Sequence, residues 1–189
     1  MTNIYFVRHA ESDYRIHDEV NRPLTDKGLR DRSLVSDYLD KKGVTAVYSS
    51  PYKRAYDTVA EFAQRKGLEI VCVDAFRERN IADLWIDDFI LFSEKQWNDF
   101  DFKTSTGESL REVQKRNIEA LQKLINTRPN ETIVIGTHGT ALSTVFNYFD
   151  NSFSFERFME IVNLMPWIVK LVFDCDQCIS IDSINPFVR

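Results

Sequence analysis

The sequence predicts an α/β fold, a three-layer sandwich with a mostly parallel central sheet and helices on both faces. Three observations lead there. Short continuous apolar runs, Ile4-Tyr5-Phe6-Val7 and Thr132-Ile133-Val134-Ile135-Gly136, have the length and β-branched content of strands buried on both faces. Other segments repeat their apolar residues at helical spacing. The two kinds alternate along the chain, which is the pattern of a parallel sheet covered by helices.

Taken in order, residues 4–7 form a first strand, and a polar, charged loop follows from Arg8 to Pro23. A helix starts at Thr25, carries Leu34, Val35, Tyr38 and Leu39 on one face, and meets Gly43 where a C-terminal cap belongs. Ala46-Val47-Tyr48 is a second strand. Ser50 then caps a helix with Pro51 in its first turn. Tyr52, Ala55, Tyr56, Val59, Ala60 and Ala63 supply that helix with an apolar stripe. Residues 69–73 are a third strand. Leu110, Val113, Leu121, Leu124 and Ile125 mark a further helix, residues 132–136 a strand, and Leu142, Val145, Phe146 and Phe149 the helix after it. Residues 168–173 and 179–184 read as two strands joined near Asp176-Gln177. No repeat or linker interrupts the chain, so residues 1–189 are expected to be one domain, with an insertion over 80–106.

Composition narrows the function. With 43% hydrophobic and 13% aromatic residues the chain has the material for a core and is no disordered segment. Six glycines and five prolines exclude collagen-like and linker-rich readings. A net charge of −5 argues against a nucleic-acid partner, which calls for a basic excess. The most apolar window, residues 158–173, is broken by Glu160, Asn163, Pro166 and Lys170, so no membrane span is expected. The first residues lack a basic stretch followed by an apolar run, and three cysteines fit a reducing compartment better than a disulfide scaffold. The expected location is cytoplasmic.

Chemistry gathers at strand ends. The first strand runs out in Arg8-His9-Ala10-Glu11-Ser12, and the strand at 132–136 in Thr137-His138-Gly139; Arg54 follows the second strand, in the first turn of its helix. In a parallel sheet all three leave from the carboxyl edge, where open α/β sheets hold ligands. Of three histidines in the chain, two occupy these ends. Two arginine forks, two histidines and a helix amino end make an anion site suited to phosphate. Within it one neutral histidine, held in a single tautomer, can attack phosphorus.

Five motifs in order extend this reading. Arg8-His9-Ala10-Glu11-Ser12 resembles the signature of the histidine phosphatase superfamily, the phosphoglycerate mutase-like proteins. Pro23-Leu24-Thr25-Asp26-Lys27-Gly28, Ser49-Ser50-Pro51-Tyr52-Lys53-Arg54-Ala55, Gly107-Glu108-Ser109 and Thr137-His138-Gly139 resemble further segments of that family. The resemblance implies that His9 is the nucleophile that becomes phosphohistidine. It implies that Arg8, Arg54 and His138 bind and polarise the phosphoryl group. Glu78, within Phe76-Arg77-Glu78-Arg79, falls where the family carries its general acid. Arg15 stands where many members have Asn and is expected to add a substrate-binding cation at the rim.

The reaction so implied is hydrolysis of a small-molecule phosphomonoester, with no metal and no cofactor. Two alternatives stay open. One is a phosphoglycerate mutase, although the glycolytic mutases of the family are longer. The other is a non-catalytic protein that binds a phospho-ligand in the same pocket. Trp85, Phe89, Phe92, Trp97, Phe100 and Phe102 lie where family members carry a segment covering the active site, and they suit core packing equally well. Asp87-Asp88 reads as a solvated acidic turn, Cys175 and Cys178 as thiols facing each other across a hairpin turn, and His17 as an exposed loop residue.

Overall fold

A computed structural model of the chain describes residues 1–82 and 88–188. It contains β1 (Thr2–Arg8), α1 (Asp26–Leu39), β2 (Ala46–Ser49), α2 (Lys53–Lys66), β3 (Ile70–Cys72), a 3-10 turn (Asp74–Phe76), α3 (Phe89–Asn98), α4 (Leu110–Thr127), β4 (Thr132–Thr137), α5 (Gly139–Phe149), α6 (Phe155–Ile161), β5 (Trp167–Asp174) and β6 (Gln177–Ile184). The strands form one mixed sheet in the order β3-β2-β4-β1-β5-β6. β3, β2, β4 and β1 pair in parallel, and the β5–β6 hairpin closes the sheet antiparallel to β1.

Strand alternation sorts the core into two layers. Ile4, Phe6, Ile133 and Ile135 face one way, and Leu121, Ile125, Leu142, Phe146 and Phe158 from α4, α5 and α6 pack on them. Tyr5, Val7, Val47 and Val134 face the other way, covered by Val35 and Leu39 of α1 and by Val59, Phe62 and Ala63 of α2. The helices after β1 and β2 therefore cover one face, while α5, after β4, covers the opposite one. Between β1 and β4 the connections diverge, and a crevice opens at the carboxyl ends of those strands.

Several local expectations shift. Gly43 does have φ of 67°, but α1 ends at Leu39, so this glycine turns the chain beyond the helix instead of capping it. The left-handed cap belongs to Gly67 after α2. Ser50 is not the cap of α2, whose N-cap is Tyr52, because its hydroxyl is engaged with His138. On α2 the buried face is Ala55, Thr58, Val59, Phe62 and Ala63, and Tyr56 lies outside it. Cys175 sits in the hairpin turn while Cys178 pairs in register with Phe173, so the two thiols do not oppose each other.

Candidate active site

The backbone ladder continues past the strands and fixes where the site residues begin. His9 donates its N–H to Thr137 O at 3.0 Å, and Ser50 donates to Gly136 O at 2.8 Å. His138, at the end of the central strand β4, is thus flanked by His9 on one side and Ser50 on the other. The loop after β1 is pinned twice more. Ala10 N–H donates to Thr58 Oγ1 of α2 at 2.9 Å, and Thr25 caps α1 through Gly28 N while its hydroxyl reaches Glu11 Oε1 at 2.8 Å. A side chain at Gly28 would collide with the Glu11 carbonyl, its Cβ falling 2.1 Å from that oxygen. The Leu-Thr-x-x-Gly segment therefore holds the signature loop against the first turn of α1.

His9 and His138 are both buried, their rings 5.4 Å apart. His9 Nδ1 lies 2.7 Å from Ala10 O, and a carbonyl only accepts, so Nδ1 carries the proton and Nε2 keeps its lone pair. At His138 the anchored nitrogen is Nε2 instead. Ser50 Oγ accepts from Tyr52 N–H at 3.2 Å and lies 2.7 Å from His138 Nε2. With its hydroxyl proton turned to Nε2, His138 carries its own proton on Nδ1, an atom that is buried without a hydrogen-bond partner. The two imidazoles are thus anchored through opposite nitrogens, which leaves the His9 Nε2 lone pair available.

Burial first, and then the Arg54 cation, hold both imidazoles well below the ordinary histidine range. A depressed histidine favours the folded state while neutral, so its contribution is complete above the unfolded value and is lost as pH falls below it. Unfolding free energy measured in urea is expected to drop between about pH 6.5 and 5.5, by up to about 1.4 kcal/mol for each imidazole. His9→Asn is expected to show a shallower drop. An unchanged slope in that variant would mean that His9 is not held neutral in the fold.

The arginines are clamped by the protein at one end. Arg8 donates from Nη1 to Ile161 O at 2.8 Å and Leu164 O at 3.2 Å, and from Nη2 to Val162 O at 2.9 Å, tying the carboxyl end of α6 to the site. Gly139 lets the first turn of α5 pack on this guanidinium, since an added Cβ would lie 3.0 Å from its carbon. Arg54 gives Nη1 to Glu19 O and Nη2 to Glu19 Oε2 at 2.9 Å. In both residues Nε is buried and unpartnered. Buried donors without acceptors call for an anion.

Glu78 follows the 3-10 turn. Its Oε1 accepts from Ala141 N–H at 3.0 Å and from Arg79 N–H at 2.8 Å, and its Oε2 from Thr140 N–H at 3.1 Å, so the amino end of α5 fixes the carboxylate beside the histidines. The backbone that presents it is braced from α4. Arg116 donates to the carbonyls of Ala75, Arg77 and Glu78 and pairs with Glu108 at 2.9 Å, and Glu108 also takes Arg77 at 2.9 Å. Burial raises the Glu108 carboxyl, but the hydrogen bond from Arg116 and its other partners bring it below the ordinary range. Sequence reasoning missed Arg116, whose contacts cross about forty residues and carry no local pattern.

Arg8, His9, Arg54 and Glu78 line one cavity of about 620 Å3, and His138 packs against His9 and Tyr52 at its base. Arg15 does not line it. Its side chain is 90% exposed and folds back on Asp13, with Nη2 2.7 Å from Oδ2. The rim cation is instead Arg22, 3% exposed, which donates to Ile16 O at 2.9 Å, pairs with Glu19 and lies 5.0 Å from the Tyr14 ring centre. His17 is exposed but also lines the cavity. From the 80–106 segment, Asn80, Ile81, Ala82 and Phe89 contribute wall, whereas Phe92 and Trp97 are buried. Trp85 and Asp87 lie outside the described residues; Asp88 caps α3 through Leu91 N–H at 2.9 Å. Among the described residues no group of three or more His, Cys, Asp and Glu is placed to hold a metal, and no helix is long and apolar enough to cross a membrane.

Comparison with known proteins bears on the family and the fold. The sequence model of the histidine phosphatase superfamily (branch 1) matches residues 4–164. Phosphoserine phosphatase 1 of Hydrogenobacter thermophilus is 26% identical over 163 residues, covering 77% of this chain and 75% of the relative. A probable phosphoglycerate mutase, GpmB, of Serratia proteamaculans is 28% identical over 159 residues, covering 78% and 74%. In three dimensions a phosphoserine phosphatase from Entamoeba histolytica, solved with 3-phosphoglyceric acid, superposes with a TM-score of 0.78 at 21% identity over 100% of both chains. That likeness establishes the fold.

Proposed function

The chain belongs to the histidine phosphatase superfamily, and from that premise we propose that it hydrolyses a small-molecule phosphomonoester through a phosphohistidine on His9, with no metal and no cofactor. The observation that carries the proposal is the cup itself. His9 Nδ1 is tied to Ala10 O, and three buried atoms around it, Arg8 Nε, Arg54 Nε and His138 Nδ1, have no partner in the protein. They are the donors a phosphoryl group would satisfy. His9 Nε2 attacks phosphorus, the bond to the leaving oxygen breaks, and Glu78 delivers the proton that oxygen takes up. Water then attacks the phosphohistidine, its proton passing to Glu78, and inorganic phosphate leaves. Arg8, Arg54 and His138 hold the transferring oxygens through both steps. The relative named phosphoserine phosphatase supports hydrolysis over transfer back to substrate. A cytoplasmic location belongs to the same reading.

The test is release of phosphate from an aryl phosphate in the presence of a chelator, run beside isomerisation of 3-phosphoglycerate primed with a bisphosphorylated glycerate. Hydrolysis that survives the chelator is the expected result. Primer-dependent isomerisation exceeding hydrolysis would replace the proposal with a mutase, and neither activity would leave a phospho-ligand binding protein.

A further inference from the structure

A phosphoryl group accounts for a small part of the cavity. At about 620 Å3 it falls in the range that encloses a whole organic ligand. Its lining divides into two kinds. Arg8, His9, Arg54 and Glu78 supply the polar chemistry, with further polar groups such as Arg79, Asn80 and Asn163 among the lining, while Tyr14, Tyr52, Ile81, Phe89, Phe158 and Met165 supply an apolar, largely aromatic wall. The segments carrying Tyr14 and Phe89 also expose further apolar side chains, Ile16 and Val20 on one, Ile90 and Leu91 on the other. Isolated exposed apolar residues are ordinary, but these four belong to the same two segments that supply aromatic wall to the cavity.

Charge points the same way. The described lining residues include four arginines, Arg8, Arg22, Arg54 and Arg79, against two glutamates, Glu19 and Glu78. Glu78 enters the first step protonated, so the balance is three positive charges, two of which a phosphoryl dianion neutralises. Arg22 is already paired with Glu19. Arg79, 5% exposed, is hydrogen-bonded to Gln96, and its guanidinium lies 5.6 Å from the ring centre of Phe89 and 5.5 Å from that of Phe92. The remaining cation is Arg79, whose guanidinium is enclosed by a neutral amide and two aromatic rings and presents little open surface to a second anionic group.

Resting on the phosphatase reading above, we infer that the preferred substrates are phosphomonoesters with an uncharged aromatic or bulky apolar leaving group, and that Tyr14 and Phe89 select them. Compact acidic esters are the disfavoured class. Burying one aromatic body against this wall corresponds to roughly ten- to a hundredfold in affinity.

The test uses the His9→Ala variant, which cannot turn over, and compares dissociation constants of 1-naphthyl phosphate and phosphoserine by calorimetry. Naphthyl phosphate is expected to bind at least about tenfold tighter. Phe89→Ala and Tyr14→Ala, introduced separately in that background at partly exposed positions, are each expected to shrink the ratio by about threefold or more, Phe89→Ala by loosening the naphthyl ester alone and Tyr14→Ala by loosening it more than phosphoserine, since the Tyr14 hydroxyl also bonds Arg8. Equal or tighter binding of phosphoserine would overturn the inference and assign Arg79, whose Nε has no partner, to a second anion. A ratio unmoved by both aromatic substitutions would overturn the assignment of Tyr14 and Phe89. Wild-type turnover is measured in parallel. If neither ester is hydrolysed, the phosphatase reading fails, while the binding ratio still decides the present inference.

Discussion

His9→Ala is expected to lower hydrolysis of an aryl phosphate by a factor on the order of 10⁴ or more, with folding intact. The size follows from what the neighbours do for this one ring. The Ala10 carbonyl fixes the tautomer, burial and the Arg54 and Arg8 cations keep the ring neutral, and the lone pair on Nε2 is therefore available without prior loss of a proton. No other group in the described cavity replaces it. His138 is committed through Nε2 to Ser50, and Glu78 is held by three backbone amides. Alanine keeps the donors of Arg8, Arg54 and His138 in place, so phosphate should still bind while turnover is lost. Wild-type enzyme quenched during turnover should carry an acid-labile phosphoryl group on the peptide containing His9. Activity within about tenfold of wild type in the variant would mean that water attacks the substrate directly, since general electrostatic assistance alone would then carry the rate.

The part of this site that was legible in the sequence is the part that regular structure positions. His9, His138 and Arg54 follow β1, β4 and β2, and parallel strands deliver their carboxyl ends to one edge whatever the loops do. The apolar runs and helical stripes that announce those strands are set by burial, which has a period. Arg15 and Arg22 show where that logic stops. Both lie in the same irregular loop, and nothing periodic separates them. Arg15 finds Asp13 two residues away and stays in solvent, while Arg22 is drawn in by Ile16 O, Glu19 and the Tyr14 ring. Ser50 departs from its sequence pattern for a related reason. Ser-Pro before a helix is a capping signal, but the hydroxyl is claimed by His138 across 88 residues, a contact that local propensity does not register. The carbonyls of residues 161, 162 and 164 that clamp Arg8 are more distant still. Functional polar contacts of this kind are made by tertiary structure, and a single sequence shows their residues without showing their pairing.

Glu78→Gln separates a chemical role from a positional one, because the two roles answer differently to the leaving group. An alkoxide is a poor leaving group and needs a proton as the P–O bond breaks, whereas p-nitrophenolate leaves without one. If Glu78 supplies that proton, kcat/KM for an alkyl phosphomonoester should fall by about 10²–10⁴, while kcat/KM for p-nitrophenyl phosphate falls far less. The parameter matters, since kcat/KM reports events through the first irreversible step, which is transfer to His9. Dephosphorylation behaves otherwise. Water needs a base whichever ester was used, so kcat for p-nitrophenyl phosphate should fall too, and phosphohistidine should accumulate behind a burst of nitrophenol. Glutamine keeps the shape but offers one carbonyl oxygen where the carboxylate served Thr140, Ala141 and Arg79 amides with two. Leaving a buried donor unpaired costs about 1–3 kcal/mol, and that cost would disturb α5 for every substrate alike. Equal losses in kcat/KM for the alkyl and nitrophenyl esters, with no burst, would therefore reduce Glu78 to a tether for the amino end of α5. A loss graded by leaving group, with a phosphorylated enzyme left behind, requires the proton to pass through its carboxyl.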